Sequence, residues 1–241
     1  MLNKIVIGYD SREDIAYQVC KYSILSKTKL PIRVIPLKQQ ILRDEGIYKR
    51  DWFFNEHGQR IDKSDKKPFS TEFSFTRFLI PFLANTGWVL FCDCDQLFRT
   101  DVSELIPLLD EKYAVMVVKH NYSPKEKIKM DNCIQERYYR KNWSSFVAWN
   151  LDHPAHAKLS IKAVNSAPGS WLHQFKWLDD DEIGALPEEW NWLEGHSSKD
   201  IIPKNIHYTR GGPWWKEYKD TDYADEWRKC YKEIYGYDII Y

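Results

Sequence analysis

Two carboxylates one residue apart, Asp93 and Asp95, end the apolar run Trp88-Val89-Leu90-Phe91. The run has the length and the β-branched, aromatic character of a buried strand. Acids at such a point constrain the fold. In an open α/β sheet ligands bind beyond the carboxyl ends of the strands, so these acids face a site rather than the core. A D-x-D there suits a hard divalent ion, Mg²⁺ or Mn²⁺, held by carboxylates together with the phosphates of a substrate. Asp also ends strands because it serves turns and helix caps, and the motif alone leaves both readings open.

The preceding chain reads as βα structure. Residues 5–10 (IVIGYD) make a first buried strand ending in Gly8, Tyr9 and Asp10. Ser11 then opens a helix, with Asp14 as the acidic half of a capping box and Ile15, Val19, Tyr22 and Leu25 at helical spacing. Such a unit offers backbone N–H groups and a helix N-terminus to a nucleotide, although no glycine-rich fingerprint accompanies it. Residues 32–37 predict a short or edge strand, being flanked by Pro31 and interrupted by Pro36. Residues 38–67 are polar and read as an excursion outside the sheet. Helical periodicity returns over 70–84, with Phe75, Phe78, Leu79, Phe82 and Leu83 on the apolar face and Pro81 shortening the last turn. Arg77 on this helix needs a partner if buried, and the acid pair is a candidate.

After the central strand, Asp101 caps a short helix over 102–109, and 113–118 is another buried strand. The basic stretch 119–141 can meet phosphates or anionic lipid, but a charge-rich stretch is more simply a solvated face. A strand at 144–150, a helix at 154–163 and a short helix at 172–178 follow. An acidic run, 179–182, precedes a strand at 201–207 that ends in His207. Gly211-Gly212-Pro213 then forces a bend where a ligand phosphate can approach the backbone, with Arg210 beside it. Residues 223–235 predict an amphipathic helix packed back on the domain.

Composition excludes some classes. The 241 residues suffice for one large α/β domain, and the 35 basic residues balance 35 acidic ones, unlike the basic excess of a nucleic-acid protein. Five irregularly spaced cysteines fit reduced thiols in a cytosolic protein. Eleven Trp and fifteen Tyr are a means of holding sugar rings or bases, yet about two-thirds of them should be core. No apolar run approaches the ~20 residues of a spanning helix. The opening MLNKIVIGYD runs directly into a strand, so the expectation is a cytoplasmic protein, with peripheral membrane contact left open.

The ordered set IVIGYDSRE, FSFTRFLIPFL, WVLFCDCDQLF, SSFVAWNLDHP, LHQFKWLDDDEIGALPEEWNW and IHYTRGGPWW resembles the GT-A-type glycosyltransferases, most closely the family 8-like group of bacteria and viruses. The likeness covers most of the chain. It implies a single α/β domain of GT-A (Rossmann-like) type, with a mixed, mainly parallel sheet flanked by helices. Residues 1–120 would be its nucleotide-binding half and 121–241 its acceptor and sugar half. It implies a hexosyltransferase-type enzyme that moves sugar from a nucleotide-sugar, a UDP-sugar, to a saccharide, lipid-linked or protein hydroxyl, with retention.

Residue by residue, Asp93, Asp95 and His207 match the ligands of Mn²⁺ (or Mg²⁺). Tyr9 and Asp10, beside Gly8, match the nucleoside contacts, and Arg77 matches the helix arginine near the sugar and the D-x-D. Gln174 matches the Gln of an Asp-Gln pair beneath the transferred sugar. Cys94, Gly211 and Gly212 fall along the donor's path. The chain departs from the family's H-x-x-G-x-x-K-P-W ending: its His-to-Pro spacing is one shorter, and Gly212 replaces the lysine. Phosphate neutralisation then falls to Arg210 or Lys216. His173 stands where the family has Asp before Gln174, which makes Asp180 and Asp181 the candidate catalytic acids beside Arg77 and Gln174.

Three other readings compete with this one. A haloacid-dehalogenase-type phosphohydrolase would use Asp93 as nucleophile, but its D-x-D sits on the first strand and continues with Thr or Val, whereas Gln96 follows here. A non-catalytic sugar-binding relative would tolerate loss of the metal ligands, which this chain keeps. Nucleotidyl transfer would show a glycine-rich phosphate loop, and none is present.

Overall fold

The structure is a computed structural model that describes residues 2–120 and 140–241. Most of the basic stretch read at 119–141, and Cys133, lie outside the described residues. Six strands form the central sheet in the order β2-β1-β5-β8-β7-β9. They are β1 (Lys4–Tyr9), β2 (Arg33–Lys38), β5 (Trp88–Cys92), β7 (Val115–Val118), β8 (Phe146–Asn150) and β9 (Ile183–Leu186). Only β8 runs against the others. Every residue of β5, β7 and β8 is buried, which is why these strands read as continuous apolar runs instead of alternating ones. The architecture is the mixed, mainly parallel α/β sheet that the GT-A resemblance implies.

A second, three-stranded sheet positions the site. Its strands are β6 (Gln96–Phe98), β10 (Trp192–Leu193) and β11 (Asn205–His207), in the order β10-β11-β6. Helix α1 (Asp14–Leu25) and the C-terminal α6 (Ala224–Tyr235) cover it, and Val19, Leu97, Ile206, Tyr208, Trp214 and Trp227 share one apolar cluster. The predicted amphipathic helix is therefore present, packed through Trp227 and Tyr231. Eight of the eleven tryptophans are buried, but among the described tyrosines only Tyr17, Tyr48, Tyr208 and Tyr231 are, so the core reading holds for tryptophan and not for tyrosine.

Several elements differ from the periodicity. The helix expected at 70–84 is reduced to a 3₁₀ turn (Thr76–Leu79) and the short α3 (Ile80–Leu83). Thr71 and Ser74 bond each other's side chain and backbone at 3.0 and 3.2 Å, which competes with a helical ladder, and Pro81 lacks an N–H. The first helix is capped by Asp10, whose carboxylate accepts from Arg12 N, so a 3₁₀ turn (Ser11–Glu13) precedes α1. The excursion at 38–67 contains α2 (Gln39–Asp44) and a hairpin of β3 (Trp52–Phe54) and β4 (Arg60–Asp62). The helix expected at 154–163 is split by Ser160, which caps α4 (Ile161–Ser166). The helix expected at 172–178 lies earlier, as α5 (Gly169–His173), and Phe175 turns the chain at φ 50°. Pro203 shortens the strand expected at 201–207 to β11. Among the described residues, no helix is long and apolar enough to cross a membrane.

Candidate active site

The acid pair sits between the two sheets, because β5 ends at Cys92 and β6 starts at Gln96. Asp93 N donates to Ser145 O at 3.0 Å, and Asp95 O accepts from Tyr208 N at 3.0 Å, so the loop is pinned from both sides. β6 pairs antiparallel with β11 in a register that sets His207 opposite Gln96. The imidazole Nε2 thereby comes to 3.3 Å from Asp95 Oδ1. Asp93, Asp95 and His207 each offer one ligand atom, and the three atoms lie within 4.8 Å of one another.

These residues fit a divalent cation. Asp93 Oδ1 and Asp95 Oδ1 are buried oxygens that accept no hydrogen bond, a condition a cation relieves. Two hard carboxylates and one imidazole suit Mg²⁺ or Mn²⁺. Arg77 flanks them. Its Nη1 forms an ion pair with Asp93 Oδ1 at 2.8 Å, without hydrogen-bond alignment, and donates to Ser144 O at 2.8 Å. Its guanidinium also lies 5.1 and 5.0 Å from the rings of Phe73 and Phe91, which hold the plane of the fork.

Burial pushes the Asp93 carboxyl up to about 6 against the pull of Arg77. A fourth acid, Glu13, is only 4% exposed and faces the same cavity. Burial, then the charge of Asp95, pushes Glu13 up to about 8, and the Cys94 thiol donates to its Oε2 at 3.7 Å.

The cavity around this cluster has a volume of about 630 Å³. Its walls are rich in hydroxyl and amide groups, among them Ser74, Asn142, Ser144, Ser145 and Ser170, with Lys141 and His173. Among the described residues no tryptophan lines it. A neighbouring cavity of about 390 Å³ opens at the ends of β1 and β2, between Tyr9, Ser11, Lys38, Arg43 and Trp52, and Phe69 borders both.

The other expected site residues divide. Gly211 lines the larger cavity and Tyr9 the smaller one, where Lys38 lies 4.4 Å above the Tyr9 ring. Asp10 is fully buried and is committed to protein partners: Arg12, Arg60 Nη1 at 3.4 Å and Glu72 N at 3.0 Å. Burial raises its pKa, but the hydrogen bonds from Arg12 outweigh that and hold it below the usual range. Gly8 lies against Phe73 and Gly212 against Trp214, where an added Cβ would meet ring atoms at 2.4 and 2.0 Å. Arg210 donates to Glu194 Oε2 at 2.9 Å, while Lys216 is exposed, and neither lines the cavity.

Gln174 ends α5, and its carbonyl accepts from Arg140 Nη1 at 2.5 Å. Asp180 pairs with Arg140 at the surface and Asp181 is exposed, so neither reaches the cavity that His173 lines. Sequence reasoning gave no role to Glu13, Ser145 or Asn191. The usable signal for Glu13 was an acid set in the first turn of a helix whose other face is apolar. Nothing local marks Asn191.

No established family profile matches the chain. It is 48% identical over 230 residues to Protein CDI of Arabidopsis thaliana, covering 93% of this chain and 84% of that one. Among solved structures it is similar to the glycosyltransferase GlyE of Streptococcus pneumoniae TIGR4 (14% identity, TM-score 0.61), covering 96% of this chain and 60% of that one. It is also similar to the WbbM bifunctional glycosyltransferase (16%, TM-score 0.56), covering 95% and 49%. The galactosyltransferase LgtC (14%, TM-score 0.56) is matched over 95% of both chains. The chain thus spans about half the length of WbbM and three fifths of GlyE. It belongs to the family of Arabidopsis thaliana Protein CDI and has the GT-A fold of the glycosyltransferases.

Proposed function

We propose that the protein is a divalent-cation-dependent glycosyltransferase that moves a hexose-type sugar from a UDP-sugar to a hydroxyl acceptor with retention. The observation that carries this reading is the meeting of Asp93, Asp95 and His207 beside a polar cavity in a GT-A fold. Retention and the uridine base rest on the family 8-like resemblance. LgtC was solved with donor and acceptor sugar analogs, and its match over 95% of both chains supports the same use of this cavity.

In this reading Asp93, Asp95 and His207 would hold Mn²⁺, or Mg²⁺, which would supply Lewis-acid stabilisation of the negative charge on a diphosphate leaving group. Arg77 keeps Asp93 oriented and adds positive charge beside the diphosphate. The nucleoside occupies the smaller cavity against Tyr9 and Ser11 at the strand ends of the 1–120 half, and the sugar lies against Ser144, Ser170 and His173 from the 121–241 half. Hydroxyl, amide and imidazole groups there suit the hydroxyls of a sugar ring. The acceptor is a saccharide, lipid-linked or protein hydroxyl. We place the reaction in a reducing, cytoplasmic compartment on the free thiols of Cys20, Cys92, Cys94 and Cys230. A phosphohydrolase would need Asp93 free to attack, whereas Arg77 and its burial commit that carboxylate to charge pairing.

A thermal-shift panel of nucleotide-sugars with and without Mn²⁺, on wild type and Asp95→Ala, tests the assignment. One class of nucleotide diphosphate should stabilise the wild type only with metal, and the variant not at all. Phosphate release from simple phosphoesters, with indifference to nucleotides, would overturn it.

A further inference from the structure

A buried chain of hydrogen bonds joins His207 to the start of β8, and its donors fix its direction. Ser145 Oγ has one proton and donates it to Asn142 O at 2.8 Å. Toward Asn191, 3.0 Å away, it can therefore only accept, which assigns the Asn191 Nδ2 to that contact. The amide oxygen is left facing His207 Nδ1 at 3.0 Å. An amide oxygen has no proton to give, so Nδ1 of His207 carries one. In the neutral ring the lone pair is then on Nε2, the atom that faces Asp95. Asn191, Ser145 and His207 are 0, 5 and 4% exposed, so bulk water does not reorient them. The backbone oxygen of Ser145 meanwhile accepts from Asp93 N and from Gln96 Nε2, both at 3.0 Å. One residue thus holds the loop of the first acid and the partner of the histidine.

We propose that Asn191, oriented by Ser145, is a positioning residue that holds His207 in its Nδ1–H tautomer and so aims the Nε2 lone pair at a cation shared with Asp93 and Asp95. The inference rests on the metal-dependent reading above. Without the Ser145 hydroxyl the Asn191 amide is free to turn over. Its NH₂ would then face Nδ1 and force the proton onto Nε2, where it would point at the cation.

Long-range ¹H–¹⁵N NMR of the metal-free protein, ¹⁵N-labelled at histidine, separates the Nδ1–H ring, the Nε2–H ring and the doubly protonated ring directly. His207→Gln assigns the signal, and titration followed by Mn²⁺ EPR measures affinity. Wild type should show Nδ1–H. Ser145→Ala and Asn191→Leu should move toward Nε2–H and bind Mn²⁺ about 10- to 100-fold more weakly, while Ser145→Thr, which keeps the hydroxyl, should restore both readouts. If Asn191→Leu does not fold, Ser145→Ala and Ser145→Thr decide the matter. An Nε2–H wild type, or a Ser145→Ala protein with unchanged tautomer and unchanged affinity, overturns this inference alone. A wild type with the Nδ1–H tautomer that takes up no Mn²⁺ overturns the metal-dependent reading, and this inference falls with it.

Discussion

Gln96 and His207 face each other across the antiparallel pairing of β6 and β11, and that register delivers the imidazole to within 3.3 Å of Asp95. The pair is tied in further from below. Asn205, two residues before the histidine, donates to Gln96 Oε1 at 2.6 Å, and Gln96 donates on to Ser145 O. A shift of one residue along either strand would turn His207 to the opposite face. The candidate metal centre is therefore as well defined as the strand pairing that makes it.

Replacing Arg77 by Met should destabilise the protein by about 3 to 5 kcal/mol, because it strands a largely buried Asp93 carboxylate and frees Ser144 O. Arg77→Lys should recover only part of this loss, since one ammonium cannot serve Phe73 O, Ser144 O and Asp93 together. Urea unfolding of the three proteins measures the difference. Equal stability of Arg77→Met and wild type would show that the pair contributes nothing.

Glu13 makes stability depend on pH with an unusual sign. Its folded value, about 8, lies above its ordinary 4.5, so between these the folded state keeps a proton that the unfolded chain gives up. Stability should fall as pH rises through that window, be unaffected by this group below it, and level off above it. Glu13→Gln lacks the titration. In chelator it should gain on wild type from about pH 5 to about pH 8, by roughly 3 to 4 kcal/mol or about 10 °C in Tm. Parallel Tm curves for the two proteins would remove Glu13 from the account.

Asp93 should make cation binding fall off in mild acid. Its carboxyl, raised to about 6 by burial despite Arg77, must be ionised to ligate. Affinity for Mn²⁺ should be nearly level above about pH 7 and drop roughly tenfold per pH unit below about pH 6. Calorimetric titration at several pH values follows this. A drop that begins only near pH 4 would mean the carboxylate is not perturbed.

Gly8→Ala should cost about 1 to 3 kcal/mol, although the backbone there is an ordinary strand. An added Cβ would lie 2.4 Å from the ring of Phe73, whose carbonyl receives Arg77 Nε at 3.3 Å. Overpacking would therefore reach the Arg77–Asp93 pair, and Mn²⁺ affinity should weaken along with Tm. Loss of Tm with unchanged affinity would confine Gly8 to packing.

What the sequence determined by itself is the part that local patterning carries. An apolar run that stops at two acids marks a buried strand, with a site at its end as one of two readings, and the alternation of strands with helical spacing points to an α/β sheet. Asp93 and Asp95 were legible as candidate ligands for that reason, and Arg77 as a cation that needs a partner if buried, its burial itself being decided by the tertiary structure. The helix read at 70–84 was not, because Thr71, Ser74 and Pro81 offer the backbone alternatives that apolar spacing does not register.

The tertiary structure decided the rest. His207 reaches Asp95 only through the β6–β11 register, and Asn191 and Ser145 reach His207 only because three separate stretches of chain close around one point. Asp180 and Asp181, plausible by their place in the chain, lie on the surface, while Glu13, unremarkable in the chain, is enclosed beside the acid pair. Burial and orientation at such a point come from contacts between residues distant in sequence, so no local window of the chain contains them.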